Sequence, residues 1–279
     1  MVMLGASIDE RPVGLAVLHS ATAAKAAFLE SIFVDPAFRR RGVGRALLEA
    51  AESMLLAAGI PKLVGSWYHD APAAAAIERL LADTGWGEPT PTATVYRGGR
   101  SALEQTVRKN RPWRPRPGFE IDIWSTLSPD ERRQVDELGA THAIGMGLHP
   151  AGEWMLAVSE ETSVVLRHHG EVAGWMLNHI VGTGLHRYSM LWIRSDLVGR
   201  GLGVSIVIES VRRHYALVDQ LPRLFFHVEV HNDPMHRLIE RRLGVFERYS
   251  SLLRSERSLV AGTAPSTRNV KDDRRGSGD

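Results

Sequence analysis

The chain has 279 residues, 44% of them hydrophobic, and 34 Lys+Arg against 32 Asp+Glu leave a formal net charge of +2. That length suits two domains, the apolar share sustains a core, and no run of about 18 apolar residues marks a membrane span. The absence of cysteine excludes disulfides, thiolate metal sites and a cysteine nucleophile; together with a start, MVMLGASIDERPVG, that carries no basic-then-apolar leader, it sets the expectation of a cytoplasmic protein.

In chain order, residues 11–19 and 26–34 read as strands. The stretch AFRRRGVGRALLEA follows at 37–50, three arginines running into Gly42-Val43-Gly44. Val43, Leu47, Leu48, Ala51, Met54 and Leu55 then recur at helical spacing until Gly59. A strand at 63–68, a helix at 73–82 and a strand at 92–96 complete the first half. A Pro/Arg-rich linker is assigned to 99–117. Its core, KNRPWRPRPG at 109–118, favours a stiff extended spacer over a nucleic-acid contact.

The second half opens with FEIDIW and SPDERRQVDEL, a strand and a capped helix without counterpart in the first half. Residues 163–168 and 171–180 read as a hairpin about His169-Gly170, and 186–194 as the next strand. DLVGRGLGV at 196–204 then leads into a helix with Val204, Val207, Ile208, Val211 and Tyr215 on one face. A strand, LFFHVEV at 224–230, a short helix at about 234–243 and a strand at 246–254 follow, and from 259 to 279 the composition is that of a disordered tail.

A strand, a glycine-containing loop and a helix N-terminus make an anion site. The first N–H groups of a helix have no internal partner, the dipole places partial positive charge there, and glycine lets the backbone approach the ligand. The loop at Gly42 is not a Walker loop, since Gly44 is followed by Arg45-Ala46. Nor is it a dinucleotide fingerprint, since Leu47 stands where a third small residue belongs. The twelve histidines include no HExxH spacing and no tight His/Asp cluster, so no metal is expected.

The pattern Arg39-x-x-Gly42-x-Gly44 after Val34-Asp35-Pro36 resembles the acyl-CoA loop of the GNAT superfamily of N-acyltransferases, and the order of elements around it agrees. The resemblance implies an α/β (α+β) fold of two GNAT-like domains, each a mixed, mostly antiparallel sheet flanked by helices, with a splayed central strand pair. The first, 1–98, lacks the usual front helices; the second, 118–258, is complete. It further implies that the loop from Arg39 through Arg40, Arg41, Gly42, Val43 and Gly44 to Arg45 holds the CoA diphosphate, and that backbone near Phe33 and Val34 pairs with the pantetheine arm. In the second half Gly199, Arg200, Gly201, Leu202 and Gly203 form the matching loop, with Val198 where the family has Arg or Gln. Trp192, Ile193 and Asn232, which opens the next helix, complete that cofactor set.

Acyl transfer to an amine asks for a proton acceptor, a donor to the carbonyl oxygen and an acid for the thiolate. The family's bases are carboxylates on the strand before the loop or the strand after the long helix, which points to Glu30 and Glu229. Alternation puts Glu30 on a face with Ile32 and Val34, and His227 with Glu229 and His231. The family's helix tyrosine is missing from both halves: Leu81 stands in its place in the first, Ile239 or Glu240 in the second. Tyr188 is the candidate acid, with Tyr68, Tyr96 and Tyr249 as substitutes. The expected activity is direct transfer of an acetyl or longer acyl group from acyl-CoA to a primary amine of a small molecule or peptide. Two arrangements stay open: the second half is the enzyme and the first a cofactor-binding or structural partner, the reading favoured because the acceptor side is complete there, or the first half holds acyl-CoA and the second supplies the acceptor surface. The alternative is a non-catalytic acyl-CoA sensor or scaffold built from degenerate domains. Neither membrane nor nucleic acid is expected as a partner, and a homodimer is compatible with the sequence.

Overall fold

The structure, a computed structural model, describes residues 1–21, 25–110, 117–141, 148–150, 152–243 and 245–259. The chain divides into two compact units: Met1–Thr90 with Leu253–Asp279, and Pro91–Leu252. No helix among the described residues is long and apolar enough to cross a membrane.

In unit 1, strands β1 (Val2–Ile8), β2 (Arg11–Ala21) and β3 (Ala26–Val34) pair antiparallel, and β4 (Lys62–Tyr68) runs parallel to β3. Helix α1 (Val43–Ala57) buries the stripe Val43, Leu47, Leu48, Ala51 and Leu55 against Val13, Ala16, Leu18, Ala27 and Leu63. Helix α2 (Ala74–Asp83) adds Leu81 to that core. Strand β1 was not expected; its mixture of exposed Val2 and Met3 with Gly5 and Ser7 gives no alternation to read.

In unit 2 the strands run in the order β11, β5, β10, β9, β8, β7, β6, with β5 (Thr90–Gly99), β6 (Phe119–Ile123), β7 (Val164–His168), β8 (Glu171–Gly182), β9 (Leu185–Ile193), β10 (Arg223–Glu229) and β11 (Glu247–Ser258). Strands β9 and β10 are parallel; β5/β10, β8/β9, β7/β8 and β6/β7 are antiparallel. Helices α3 (Arg100–Lys109) and α5 (Leu202–Ala216) enclose one core with Tyr188, Phe226 and Phe246. Helix α4 (Pro129–Thr141) gives Val135 to a second core around Trp124, Trp175 and Leu177. Helix α6 (Asp233–Arg242) follows β10.

The units cut the chain differently from the expected 1–98 and 118–258. Strand β5 follows α2 in sequence, yet all of it but Thr90 belongs to unit 2, while the end of β11 belongs to unit 1. The expected linker 99–117 also needs correction: residues 100–109 form α3, whose Ala102, Leu103, Thr106 and Val107 recur at helical spacing and are buried. The proline and arginine content of the following stretch masked that period. Residues 111–116, the heart of the expected spacer, lie outside the described residues. So does the expected disordered tail beyond Leu259, which is itself buried and donates its amide to the Pro61 carbonyl at 2.8 Å.

The capped start of α4 is present as a reciprocal box. The Ser128 amide donates to Glu131 Oε2 at 2.8 Å, and the Glu131 amide to Ser128 Oγ at 3.3 Å. Glu131 also accepts from Arg167, and that bond holds its carboxyl down at about 2. A group depressed in the folded state adds stability above its unfolded pKa, near 4.3, and loses it as pH falls through the folded value. Urea midpoints of the wild type and Glu131→Gln are therefore expected to differ by a constant amount above about pH 5 and to converge as pH drops toward about 2. A gap that stays constant across that window would count against the ion pair as its source.

In both units the parallel strand pair comes apart. Pairing of β3 with β4 ends at Leu29 and Gly65, and pairing of β9 with β10 ends at Tyr188 and Phe226. At the same place the outer register slips by one residue. Val17 and Leu18 face Ser31 and Leu29, leaving Glu30 as a bulge, and Leu177 and Asn178 face Met190 and Tyr188, leaving Ser189 as a bulge. The splayed pair is thus built twice.

Candidate functional site

The two loops that follow these strands repeat angle by angle. Arg39 and Val198 are extended (φ −64, ψ 156 and φ −62, ψ 146). Arg40 and Gly199 are left-handed (φ 62 and 83), and Gly42 and Gly201 are the left-handed N-caps (φ 83 and 76) of α1 and α5. Neither N-cap glycine brings a side chain to the helix end, and the first helical bonds are Ala46 N–H to Gly42 O and Ser205 N–H to Gly201 O. The amides of Val43, Gly44 and Arg45, and of Leu202, Gly203 and Val204, therefore have no partner within their helices. A β-carbon would meet nothing within 4 Å at Gly42 or Gly199, so the space over each turn is open.

In unit 1 this loop walls a cleft of ≈ 640 Å³. Ile32, Phe33 and Val34 form one side, Arg39, Arg40 and Gly42–Arg45 the end, and Ala73 at the start of α2 with Ala76, Ile77 and Leu80 of that helix the other side. Phe33 is 53% exposed. The three arginines divide their work. Arg39 Nε donates to the Val34 carbonyl at 3.0 Å and ties the loop to its strand. Arg40 lines the cleft, whereas the Arg41 guanidinium lies 5.3 Å from the Phe38 ring centroid. Glu30 is the bulged residue, exposed and absent from the cleft lining, and the bulge breaks the alternation that put it on a face with Ile32 and Val34.

In unit 2 a cleft of ≈ 390 Å³ opens at the separation of β9 and β10. Its apolar side is Val207 of α5, Phe226 and Val228 of β10, Met235 and Ile239 of α6, and Phe246. Its polar groups are Ser189, His227, Glu229 and Asn232. Four expected residues thus meet here: Tyr188, His227, Glu229 and Asn232. The loop Gly199–Gly203, Trp192 and Ile193 do not line this cleft; Trp192 stacks on Trp175 at 4.3 Å between centroids. Asn232 caps α6, its Oδ1 accepting the Met235 amide at 3.2 Å.

Tyr188 stands differently from expectation. His214 Nε2 lies 2.9 Å from the Leu221 carbonyl, so that nitrogen carries the ring proton and Nδ1 accepts from the Tyr188 hydroxyl at 3.0 Å. Burial raises the phenol well above its ordinary value, so Tyr188 gives the cleft a ring rather than a free acid. Burial first, and the Arg187 charge second, push the His227 imidazole down to about 4, so it is neutral near pH 7. Tyr96, one of the substitutes, has its hydroxyl 2.9 Å from His236 Nδ1 and receives Arg248 Nε at 3.3 Å.

Sequence reasoning missed Ser189, His179 and Met235 of α6. His179 Nδ1 lies 2.7 Å from Ser189 Oγ. That serine is the extra residue of the β9 bulge, and nothing in the order of residues 186–194 announces a bulge.

The acetyltransferase (GNAT) family profile matches residues 1–81 and 121–245, well over half of the chain. The chain is similar to a mycothiol acetyltransferase of Clavibacter sepedonicus, 46% identical over 83 residues, which is 29% of this chain and 24% of that relative's length. Among solved structures it resembles a tandem GNAT protein from the clavulanic acid biosynthesis pathway, with TM-score 0.69 and 18% identity over 92% of this chain and 82% of that one. It also resembles a GCN5-related N-acetyltransferase from Sphaerobacter thermophilus, with TM-score 0.61 and 16% identity over 91% and 79%. At these identities the structural likeness concerns the fold alone.

Proposed function

We propose, from the premise that this chain belongs to the acetyltransferase (GNAT) family, that it moves an acetyl or longer acyl group from acyl-CoA directly to a primary amine of a small molecule or peptide. The observation that carries the reading is the loop built twice with the same backbone angles, each opening on an uncapped helix N-terminus. Free amides, the helix dipole and nearby guanidinium groups are what a diphosphate needs. The bound acyl-CoA supplies the activated thioester, and this chain's residues hold and orient it. The main-chain amides of Val43, Gly44 and Arg45, with the Arg40 and Arg45 side chains and the Arg39 charge held at the loop by its bond to Val34, form the stronger grip; Leu202, Gly203 and Arg200 form the weaker one, since Val198 brings no charge.

Chemistry belongs to unit 2. Its cleft joins an apolar side to polar groups at the strand gap, and the exposed carboxylate of Glu229 draws in a cationic amine. In unit 1 the candidate base Glu30 lies off the cleft and Leu81, in the place of the family tyrosine, is buried in the core, so that unit keeps the role of a non-catalytic acyl-CoA holder. Thiol release from acetyl-CoA and longer acyl-CoA across a panel of primary amines tests the whole reading. Steady turnover with at least one amine, lost in Glu229→Gln, is expected; binding without turnover across the panel leaves only the holder.

Arg40 offers a second check. A non-glycine residue in the left-handed region costs roughly 1–2 kcal/mol, and unit 2 has Gly199 at the matching place. Arg40→Gly is expected to leave the free protein as stable or slightly more so in urea. It should weaken acetyl-CoA binding about tenfold, the low end for one charge-assisted hydrogen bond. Unchanged affinity in a calorimetric titration would remove Arg40 from the site.

A further inference from the structure

We propose that Ser189 and His179 are the proton-accepting pair of the unit 2 cleft, Ser189 touching the nucleophile and His179 acting through it; this rests on the acyl-transfer reading above. Ser189 is the extra residue of the β9 bulge, where Leu177 faces Met190 and Asn178 faces Tyr188. A bulge re-aims the side chain it carries. Here it places a half-buried hydroxyl in the cleft lining with His227 and Glu229. His179, on β8, is 7% exposed, and its Nδ1 is 2.7 Å from Ser189 Oγ, within reach for proton transfer.

The gap itself supplies the complementary donors. Beyond Tyr188 and Phe226 the two strands no longer pair, so amides of β9 that point across the gap have no strand partner there. A thioester carbonyl seated in the gap meets those donors as its oxygen gains charge. The competing groups are less suited to take a proton. The Tyr188 hydroxyl is committed to His214, His227 is held at about 4, and Glu229 stands exposed at the end of β10. The charged and titratable neighbours of the pair are Arg187, directly opposite His179 on β9, and His186 beside it, with His227 and Glu229 of β10 on the same cleft. Unit 1 carries His19 and Glu30 at the matching register positions, both exposed and neither on its cleft, so the arrangement is assembled in one unit only.

The step balances as follows. The nucleophile enters the step as water or as a neutral amine whose ammonium proton has gone to solvent; its oxygen or nitrogen bonds to the thioester carbonyl carbon, and one further proton passes from it to Ser189 Oγ while the Ser189 proton moves to His179 Nδ1, the ring's other proton staying on Nε2. The C–S bond breaks with its electron pair on sulfur, the thiolate takes a proton from solvent, and His179 returns its own to solvent.

Water is a nucleophile that needs no identified amine, so the probe is acetyl-CoA alone. Thiol release by the full chain is followed from pH 5 to pH 9, beside the melting temperature with and without acetyl-CoA. The wild type is expected to release thiol faster than buffer, with a step in its pH profile. Ser189→Ala and His179→Asn are expected to slow release about 100-fold, the low end for losing a general base, while acetyl-CoA still raises their melting temperatures. In His179→Asn the amide oxygen can accept from Ser189 but cannot take up the proton, so the pH step should vanish; a merely structural role would lower the rate alike at every pH. Either variant matching the wild-type rate and profile overturns the pair. So does a wild type that acetyl-CoA stabilises but that releases no thiol above buffer. No stabilisation of the wild type by acetyl-CoA overturns the acyl-transfer reading, and the pair with it.

Discussion

Gly44→Glu is expected to lose tight acetyl-CoA binding by about three decades while keeping thiol release. Gly44 is the second residue of α1, and its amide is one of the three left without a helical partner. A β-carbon there would meet Leu80 Cδ2 at 3.3 Å, a flexible contact that can give by a few tenths of an ångström. An acidic residue in the first turn complements the helix dipole, so the free protein should not suffer. A carboxylate about 4 Å from a diphosphate of like sign costs about 4 kcal/mol at an effective dielectric near 20, roughly a thousandfold in affinity. Gly203→Glu makes the reciprocal case: its β-carbon meets only Ile193 Cδ1, at an ordinary 3.5 Å, and this variant should lose turnover while the tighter binding persists. Calorimetric titration with acetyl-CoA and a thiol assay on both variants read the two effects separately. Turnover lost in Gly44→Glu and kept in Gly203→Glu would reverse the division of labour between the units.

Fragments 1–98 and 118–258, cut where the sequence repeat suggests, are expected not to fold cooperatively. Unit 2 needs β5, which pairs with β10 from Arg223↔Gly99 to Glu229↔Ala93 and buries Ala93, Val95 and Tyr96. It also needs α3, whose Leu103 and Val107 are buried in the same core as Tyr188 and Phe226. Each fully buried large apolar side chain contributes about 1.5–3 kcal/mol, so losing these together removes an amount comparable to the 5–15 kcal/mol that stabilises a typical domain. Unit 1 loses the end of β11, where the Glu256 carbonyl accepts the Gly87 amide at 3.0 Å and the Glu256 carboxylate pairs with Lys62 at 2.8 Å, and buried Leu259. Far-UV circular dichroism and urea titration of each fragment check this. A sharp transition in 118–258 alone would mean that β5 and α3 are dispensable.

What the sequence makes legible is local. The two glycine-containing loops are written in glycine and arginine within a few residues, and the long helices in their apolar stripes, Val43 to Leu55 and Leu202 to Val211. The exchange of β5 and β11 is not legible, because strand composition does not say which sheet edge a segment joins. Helix α3 was hidden because the Pro-rich run beside it dominated the composition of 99–117. The candidate site was half visible. Alternation correctly separates His227 and Glu229 from Phe226 and Val228, whose burial differs accordingly. Alternation failed at Glu30, where one inserted residue resets the face of what lies beyond it, and the second bulge, at Ser189, has no signal in the sequence. The inward turn of the Tyr188 hydroxyl follows from His214, 26 residues away along the chain, and no short motif encodes that contact.

The most direct measurement is a crystal structure of the full chain grown with coenzyme A. The diphosphate is expected about 2.7–3.2 Å from the amides of Val43, Gly44 and Arg45, or of Leu202, Gly203 and Val204 in the second loop, with the pantetheine arm entering the gap beyond Leu29 or Tyr188. A diphosphate bound away from both loops would contradict the account.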